Sequence, residues 1–261
     1  MAKVLCEKIK HINKVADAIF KISIQSDYIS LNAKPGQFVN IKCDHSLEHL
    51  LRRPISICRV NEYEKTFDIA FQVKGAGTQK LSCFECGGEI DLIGPLGKGF
   101  DISEQYNNIA VVGGGIGIFP LLFLLQKSKS PNKISFLGLR DSRGIAMLND
   151  YKAFGEVHVS TQDGSFGTKG LVTDALREYL SGNKLDIVYA CGPYNMMKEV
   201  STICKTYKIP CQVSLEQRMG CGIGACLVCA CKTISQNEQG WQYSHVCKDG
   251  PVFWSDNVNW E

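Results

Sequence analysis

Excess charge of either sign is scarce in this chain. Its 29 Lys and Arg stand against 26 Asp and Glu, a net charge of +3, and no five basic residues run together. Composition therefore gives no electrostatic footprint for nucleic acid. A membrane span is lacking too. The stretch that comes nearest, Ile109 to Leu125, has seventeen uncharged residues but carries Gly113, Gly114, Gly115, Gly117 and Pro120. It falls short of the ~20 residues a span needs and holds helix breakers. The first ten residues contain no apolar run of the signal-peptide kind. With 44% hydrophobic and 21% charged residues, the chain is too apolar for a disordered one. Internal repeats and low-complexity linkers are missing as well.

Cysteine is abundant instead. Thirteen is an odd number, so a fully paired disulfide framework is excluded. Without a signal peptide the expected location is cytoplasmic, where thiols stay reduced unless they bind metal or do redox work. The length of 261 residues allows one to three domains.

Two rhythms divide the chain. Over residues 1–100, Ala18–Gln25 and Gln37–Lys42 alternate apolar and polar with period two, and Pro54–Cys58, Phe67–Val73 and Glu89–Ile93 add short strands. That pattern predicts an antiparallel β-barrel or sandwich. Over residues 101–215, apolar runs at Ile109–Val112, Ile134–Gly138, Val157–Ser160 and Ile187–Ala190 alternate with helical stretches at Leu121–Lys127, Val172–Leu180 and Asn195–Tyr207. Such runs read as parallel strands buried on both faces, hence an open α/β sheet. Residues 216–261 follow neither rhythm and form a small cysteine-rich segment.

That segment reads Met219-Gly-Cys221-Gly-Ile-Gly-Ala-Cys226-Leu-Val-Cys229-Ala-Cys231, with Cys247 further on. The C-x4-C-x2-C spacing with a later fourth cysteine is the plant-ferredoxin pattern for a [2Fe–2S] cluster. Three thiolates must converge from one tight loop, and Gly220, Gly222, Gly224 and Ala225 let the backbone wrap the sulfides and donate N–H groups to them. Two alternatives stay open: a zinc site recruiting Cys83 and Cys86, and Cys231 in place of Cys229. Cys6, Cys43, Cys58, Cys83, Cys86, Cys204 and Cys211 are expected to act as small buried hydrophobes.

Gly113-Gly-Gly115-Ile-Gly117-Ile-Phe-Pro120 lies where a strand hands over to a helix. Its last residues fit G-x-G-x-x-P, a loop whose glycines admit a pyrophosphate and whose helix N-terminus favours it. Ligands of open sheets bind beyond the carboxyl ends of the strands. There lie Gly138–Arg143, Thr161–Ser165 and Cys191-Gly192-Pro193. Asp141 would accept from a ribose hydroxyl and favour NAD, while Arg140 and Arg143 would favour a 2′-phosphate.

Leu51-Arg-Arg53-Pro54-Ile55-Ser56 and Ala70-Phe71-Gln72-Val-Lys-Gly-Ala-Gly77-Thr78 complete the set. In order with the glycine loop, Cys-Gly-Pro and the cysteine tail, they resemble the ferredoxin–NADP reductase superfamily. Ser214–Cys226 and Val246–Phe253 are more closely similar to the electron-transfer subunits of NAD-linked, two-component dihydroorotate dehydrogenases. The resemblance runs over nearly the whole chain. It implies a multidomain β plus α/β fold: an FAD-binding barrel (1–100), an NAD-binding domain (101–215) and a [2Fe–2S] domain (216–261). FAD contacts would be Arg53, Pro54, Ile55, Ser56, Ala70, Phe71, Gln72, Gly77 and Thr78. Gln72 departs from the pattern, since relatives often place a basic residue there. NAD would meet Gly115, Gly117, Asp141, Cys191, Gly192 and Pro193, and the cluster would be held by Cys221, Cys226, Cys229 and Cys247. A partner subunit carrying FMN would oxidise dihydroorotate in pyrimidine biosynthesis, within a heterotetramer.

The implied role is a step between electron currents. Nicotinamide moves electrons in pairs and a [2Fe–2S] cluster singly, and a flavin can do both. Hydride transfer needs no general base, so no catalytic side chain is expected, and His11, His45, His49, His158 and His245 are read as structural or exposed. Two other readings remain: a reductase subunit of this fold serving a ferredoxin- or sulfide-linked partner, and a non-catalytic zinc and nucleotide redox sensor.

Overall fold

In the computed structural model, which describes residues 2–44, 48–103 and 105–261, the first two rhythms become two sheets sharing a buried seam. His45 lies outside the described residues. The N-terminal part consists of β1 (Lys3–Ala16), β2 (Ile19–Gln25), α1 (Asp27–Asn32), β3 (Phe38–Ile41), β4 (Arg53–Asn61), β5 (Thr66–Gln72), α2 (Ala76–Ser82) and β6 (Glu89–Leu96). The six strands are antiparallel and close a barrel in the order β1-β2-β5-β4-β3-β6. Period-two alternation drives this: β5 turns Phe67, Ile69 and Phe71 inward onto Ile22, Ile24, Ile57 and Leu92. Ser26 caps α1 by accepting from the Ile29 N–H at 3.2 Å. The first strand was not among those the pattern predicts. Register shifts between Ile9 and His11 and between Lys14 and Ala16 break its alternation.

The second part runs β7 (Asn108–Gly114), α3 (Ile118–Lys127), β8 (Asn132–Leu139), α4 (Leu148–Lys152), β9 (Glu156–Thr161), β10 (Thr168–Lys169), α5 (Val172–Gly182), β11 (Ile187–Cys191), α6 (Tyr194–Tyr207) and β12 (Cys211–Ser214). The tail adds β13 (Ala230–Ile234), β14 (Trp241–His245) and β15 (Val252–Trp254). The sheet order is β10-β9-β8-β7-β11-β12-β15, with only β15 antiparallel. The tail thus supplies the last strand of the mostly parallel sheet, while β13 and β14 form a separate hairpin.

Helix α3 explains how the two sheets meet. Every residue from Ile118 to Leu125 is buried, so the helix is apolar all round. Such a helix must be covered on all sides. It packs on β7 and β11 and also on β4 of the barrel. Gln126 fastens that contact, its Nε2 donating to the Val60 carbonyl at 2.6 Å while its Oε1 accepts from the Val60 N–H at 3.1 Å.

Four of the seven cysteines expected to be buried are so: Cys43, Cys58, Cys204 and Cys211. Cys6, Cys83 and Cys86 are exposed. Cys6 lies on β1, and Cys83 and Cys86 follow the last residue of α2, where little packs over them. No helix among the described residues is long and apolar enough to cross a membrane.

Candidate functional site

A cleft of about 240 Å³ opens between the barrel and the sheet. Pro54, Ile55 and Ser56 of β4, Ala70, Phe71 and Gln72 of β5, and Thr78 of α2 line its barrel side. Ile116, Gly117, Phe119, Pro120 and Cys191 line the other. An apolar slot with a few polar groups at its edge suits a flat conjugated ring. Arg53 and Gly77 stand just behind this lining. The Arg53 guanidinium packs over Gly77, where a β-carbon would fall 2.5 Å from its Nε. Arg53 Nη1 donates to the Leu51 carbonyl at 2.5 Å. The Thr78 hydroxyl is occupied with its own turn, accepting from the Lys74 N–H at 2.9 Å and donating to the Gly75 carbonyl at 3.0 Å.

Sequence reasoning missed several lining residues. Phe38, Lys74, Ser214, Leu215, Glu216, Gln217, Met219 and Pro251 all face the cleft. Lys74 supplies, two residues on, the positive charge that Gln72 does not. Ser214–Met219 carries the chain from the end of β12 past the cleft to the cysteine loop.

The second cleft sits where strand order reverses, between β7 and β11. The loops leaving these strands touch. A β-carbon on Gly117 would fall 2.3 Å from the Cys191 carbonyl oxygen, so only glycine permits the approach. Gly115 has φ +55 with open space beside it. A cavity of about 710 Å³ runs outward from Gly114, Gly115 and Pro193 past Leu139, Arg140 and Gln162 to the start of α5. Cys191 faces the first cleft rather than this one. Asp141 is spent elsewhere: it accepts from Arg143 Nη2 at 2.7 Å, from Nε at 3.2 Å and from the Arg143 N–H at 3.0 Å. The Arg143 guanidinium holds its carboxyl below the usual carboxylate range. Arg140 and Gln162, not Asp141, line the cavity.

The cysteine loop packs beside the first cleft, through Met219. Cys229 and Cys247 are buried, Cys221 is half-buried and Cys226 is exposed. Backbone N–H groups converge on the sulfurs. Cys221 Sγ accepts from Ile223, Ala225 and Cys226 at 3.4, 3.2 and 3.3 Å, and Cys247 Sγ from Gly224 at 3.1 Å. Cys226 Sγ accepts from the Cys221 N–H at 3.3 Å, and Cys229 Sγ from the Cys247 N–H at 3.4 Å. Burial pulls the Cys221 thiol upward, yet these N–H groups outweigh it and bring it down to about 6. Burial, then the Cys229 thiol, pushes Cys247 up to about 12.

The sulfurs fall into two pairs, Cys221 with Cys226 and Cys229 with Cys247, the latter 3.3 Å apart and so not a disulfide. Among the described residues no three His, Cys, Asp or Glu side chains converge on a single metal ion. Two pairs wrapped in N–H donors fit a binuclear cluster better than one zinc ion. Cys83 instead lies beside Lys80 and Phe84, and Cys86 donates to the Lys10 carbonyl. Cys231 is buried on β13 opposite Ser244, and burial raises its thiol to about 11.

Comparison with known proteins agrees with this geometry. Residues 216–259 match the model for the iron–sulfur cluster binding domain of dihydroorotate dehydrogenase B, and residues 111–202 the oxidoreductase NAD-binding domain. A protein of Desulforamulus reducens named dihydroorotate dehydrogenase B (NAD(+)), electron transfer subunit, is 39% identical over 264 residues, all of each chain. Its namesake from Caldanaerobacter subterraneus subsp. tengcongensis is 39% identical over 94% of each. A solved chain of an NADH-dependent reduced ferredoxin–NADP oxidoreductase superposes with a TM-score of 0.87 at 32% identity, covering 100% of this chain and 92% of that one. The Plasmodium falciparum ferredoxin–NADP+ reductase, at 18% identity and a TM-score of 0.63 over 80% of this chain and 96% of that one, shares the fold. The chain belongs to the family of dihydroorotate dehydrogenase B electron transfer subunits.

Proposed function

We propose that this chain relays electrons between NAD(H) and an FMN-containing dihydroorotate dehydrogenase subunit in pyrimidine biosynthesis. The single observation that carries this reading is the placement of the paired thiols beside a slot that opens toward the glycine crevice. In this reading residues 1–100 bind FAD, 101–215 bind NAD(H) and 216–261 hold a [2Fe–2S] cluster, in a cytoplasmic heterotetramer. When bound, FAD exchanges electron pairs with nicotinamide and single electrons with the cluster.

The chain's own residues bind and align these groups. Pro54, Ile55, Ser56, Ala70, Phe71 and Gln72 form the flavin slot, Arg53 and Thr78 shape the turn at its mouth, and Lys74 offsets phosphate charge. Gly115 leaves room for the pyrophosphate, Gly117 lets the β7 and β11 loops touch, and Pro193 closes the crevice from β11. Cys221, Cys226, Cys229 and Cys247 are the cluster ligands. Cys229 is preferred to Cys231 because it stands within the N–H web and pairs with Cys247. The exposed thiol, Cys226, is flanked by Ile223, Leu227 and Val228, each more than half exposed. That apolar rim supports a partner docking over the cluster.

Anaerobic co-purification tests the reading. The complex is expected to reduce NAD+ with dihydroorotate; an intact complex without that activity would contradict it. A second reading has a specific observation behind it, the likeness to the ferredoxin–NADP oxidoreductase chain. Under that reading the protein recovered with this chain is a different flavoprotein, and dihydroorotate does not bleach or reduce the complex.

A further inference from the structure

Strand β3 reads Phe38-Val-Asn40-Ile41, and all four residues are buried. Asn40 is 1% exposed. A buried amide is costly unless its atoms find partners. Its Nδ2 donates to the Cys221 carbonyl at 3.0 Å, across 181 residues of chain. Its Oδ1 is buried with no partner among the described residues. An unpaired buried acceptor is destabilising, a cost that a leucine here would avoid. The bond to Cys221 is therefore what distinguishes asparagine from the apolar residues around it.

Contact with the cysteine loop is close from the other side as well. Gly222 has φ +73, and a β-carbon on it would fall 2.5 Å from Asn40 Nδ2. Asn40 is itself held firmly. It pairs with Pro54 on β4 and Ile93 on β6, and Arg52 Nη1 donates to its carbonyl at 3.4 Å while Arg52 pairs with Asp91 at 2.8 Å. Phe38, two residues back on the same side of β3, lines the flavin slot, as does Pro54. Same-side neighbours on a strand lie about 7 Å apart. One short rigid strand thus touches the slot at one residue and the cysteine loop at the next on that face.

We infer that Asn40 is a positioning residue that sets the cysteine loop at a fixed distance from the flavin slot, acting through the Cys221 carbonyl. This rests on the reading that the slot takes FAD and that Cys221 is a cluster ligand. The step it governs is passage of one electron from NADH-reduced flavin to the oxidised cluster. Loosening the strut widens the range of separations and slows that step without touching NADH or flavin binding.

The test uses anaerobically purified holoprotein and Asn40→Leu, which removes the donor and the orphaned acceptor together. Iron and flavin contents and the rate of flavin bleaching by NADH are expected to match the parent. Cluster reduction is expected to slow on the order of tenfold, as sub-ångström to ångström misplacement does, and the cluster's EPR g-values to shift. An Asn40→Leu protein with parental cluster reduction and parental EPR would overturn the inference. Should that variant fail to fold, Asn40→Ala removes the same bond without adding bulk, and the same pair of outcomes decides. Parent protein purified without iron would sink the underlying reading; parental iron with unaltered variants would sink the role of Asn40 alone.

Discussion

Two glycine-rich loops in this molecule are built in different ways. The cysteine loop folds onto itself: N–H groups of Ile223, Gly224, Ala225 and Cys226 point at sulfurs within residues 221–247. The glycine crevice is assembled by the sheet, from loops that leave β7, β8, β9 and β11. The first is preorganised by local sequence, the second by strand order. Damage should therefore stay local in the first and spread in the second.

The largest expected effect breaks the local loop. Cys226→Ser removes an exposed thiol from a locally folded loop, so iron should be lost while flavin and the fold remain. Iron, sulfide and flavin analysis of the purified variant checks this, and unchanged iron would mean that Cys226 is not a ligand. A middle-sized effect is expected in the crevice. Gly117→Ala drives a β-carbon into the Cys191 carbonyl and forces β7 and β11 loops apart. A loss of about 1–3 kcal/mol of stability should follow, together with weaker NAD(H) binding, read by thermal unfolding and nucleotide titration. A stable variant with parental nucleotide affinity would show that the two loops do not need their contact.

The smallest effect sharpens the crevice. Asp141→Asn should leave NAD(H) affinity within a few-fold, because the carboxylate is taken up by the exposed Arg143 guanidinium and does not line the cavity. Arg140→Ala, at a residue that lines the cavity, should change affinity more. The reverse order would restore Asp141 as the ribose contact.

The same contrast explains how much was legible in the sequence. C-x4-C-x2-C is a local code, so three of the four paired thiols could be proposed from spacing alone. Two alternating stretches and three further short strands marked five barrel strands, and apolar runs marked β7, β8, β9 and β11, while β10 and β12 went unmarked. Strand β1 escaped because its bulges interrupt the period. Asp141 looked like a ribose contact because its position beyond β8 is right, but nothing in one sequence shows that Arg143 captures it. Lys74, Ser214–Met219 and Asn40 became visible only when β3, β5 and β12 were brought together. Asn40 in particular reads as an ordinary polar position in a period-two strand, and only its burial and the Cys221 bond give it a role. Cys6, Cys83 and Cys86 were misplaced because cysteine's average burial says little about which face of a strand or loop it occupies.

The account depends most on the cysteine loop holding iron next to a flavin. Iron, acid-labile sulfide and flavin should be quantified on anaerobically purified protein, followed by low-temperature EPR after addition of NADH. The predicted result is the two irons and two sulfides of a [2Fe–2S] cluster with one FAD per chain, and a cluster signal that NADH develops. Protein that carries flavin but neither iron nor labile sulfide would contradict it.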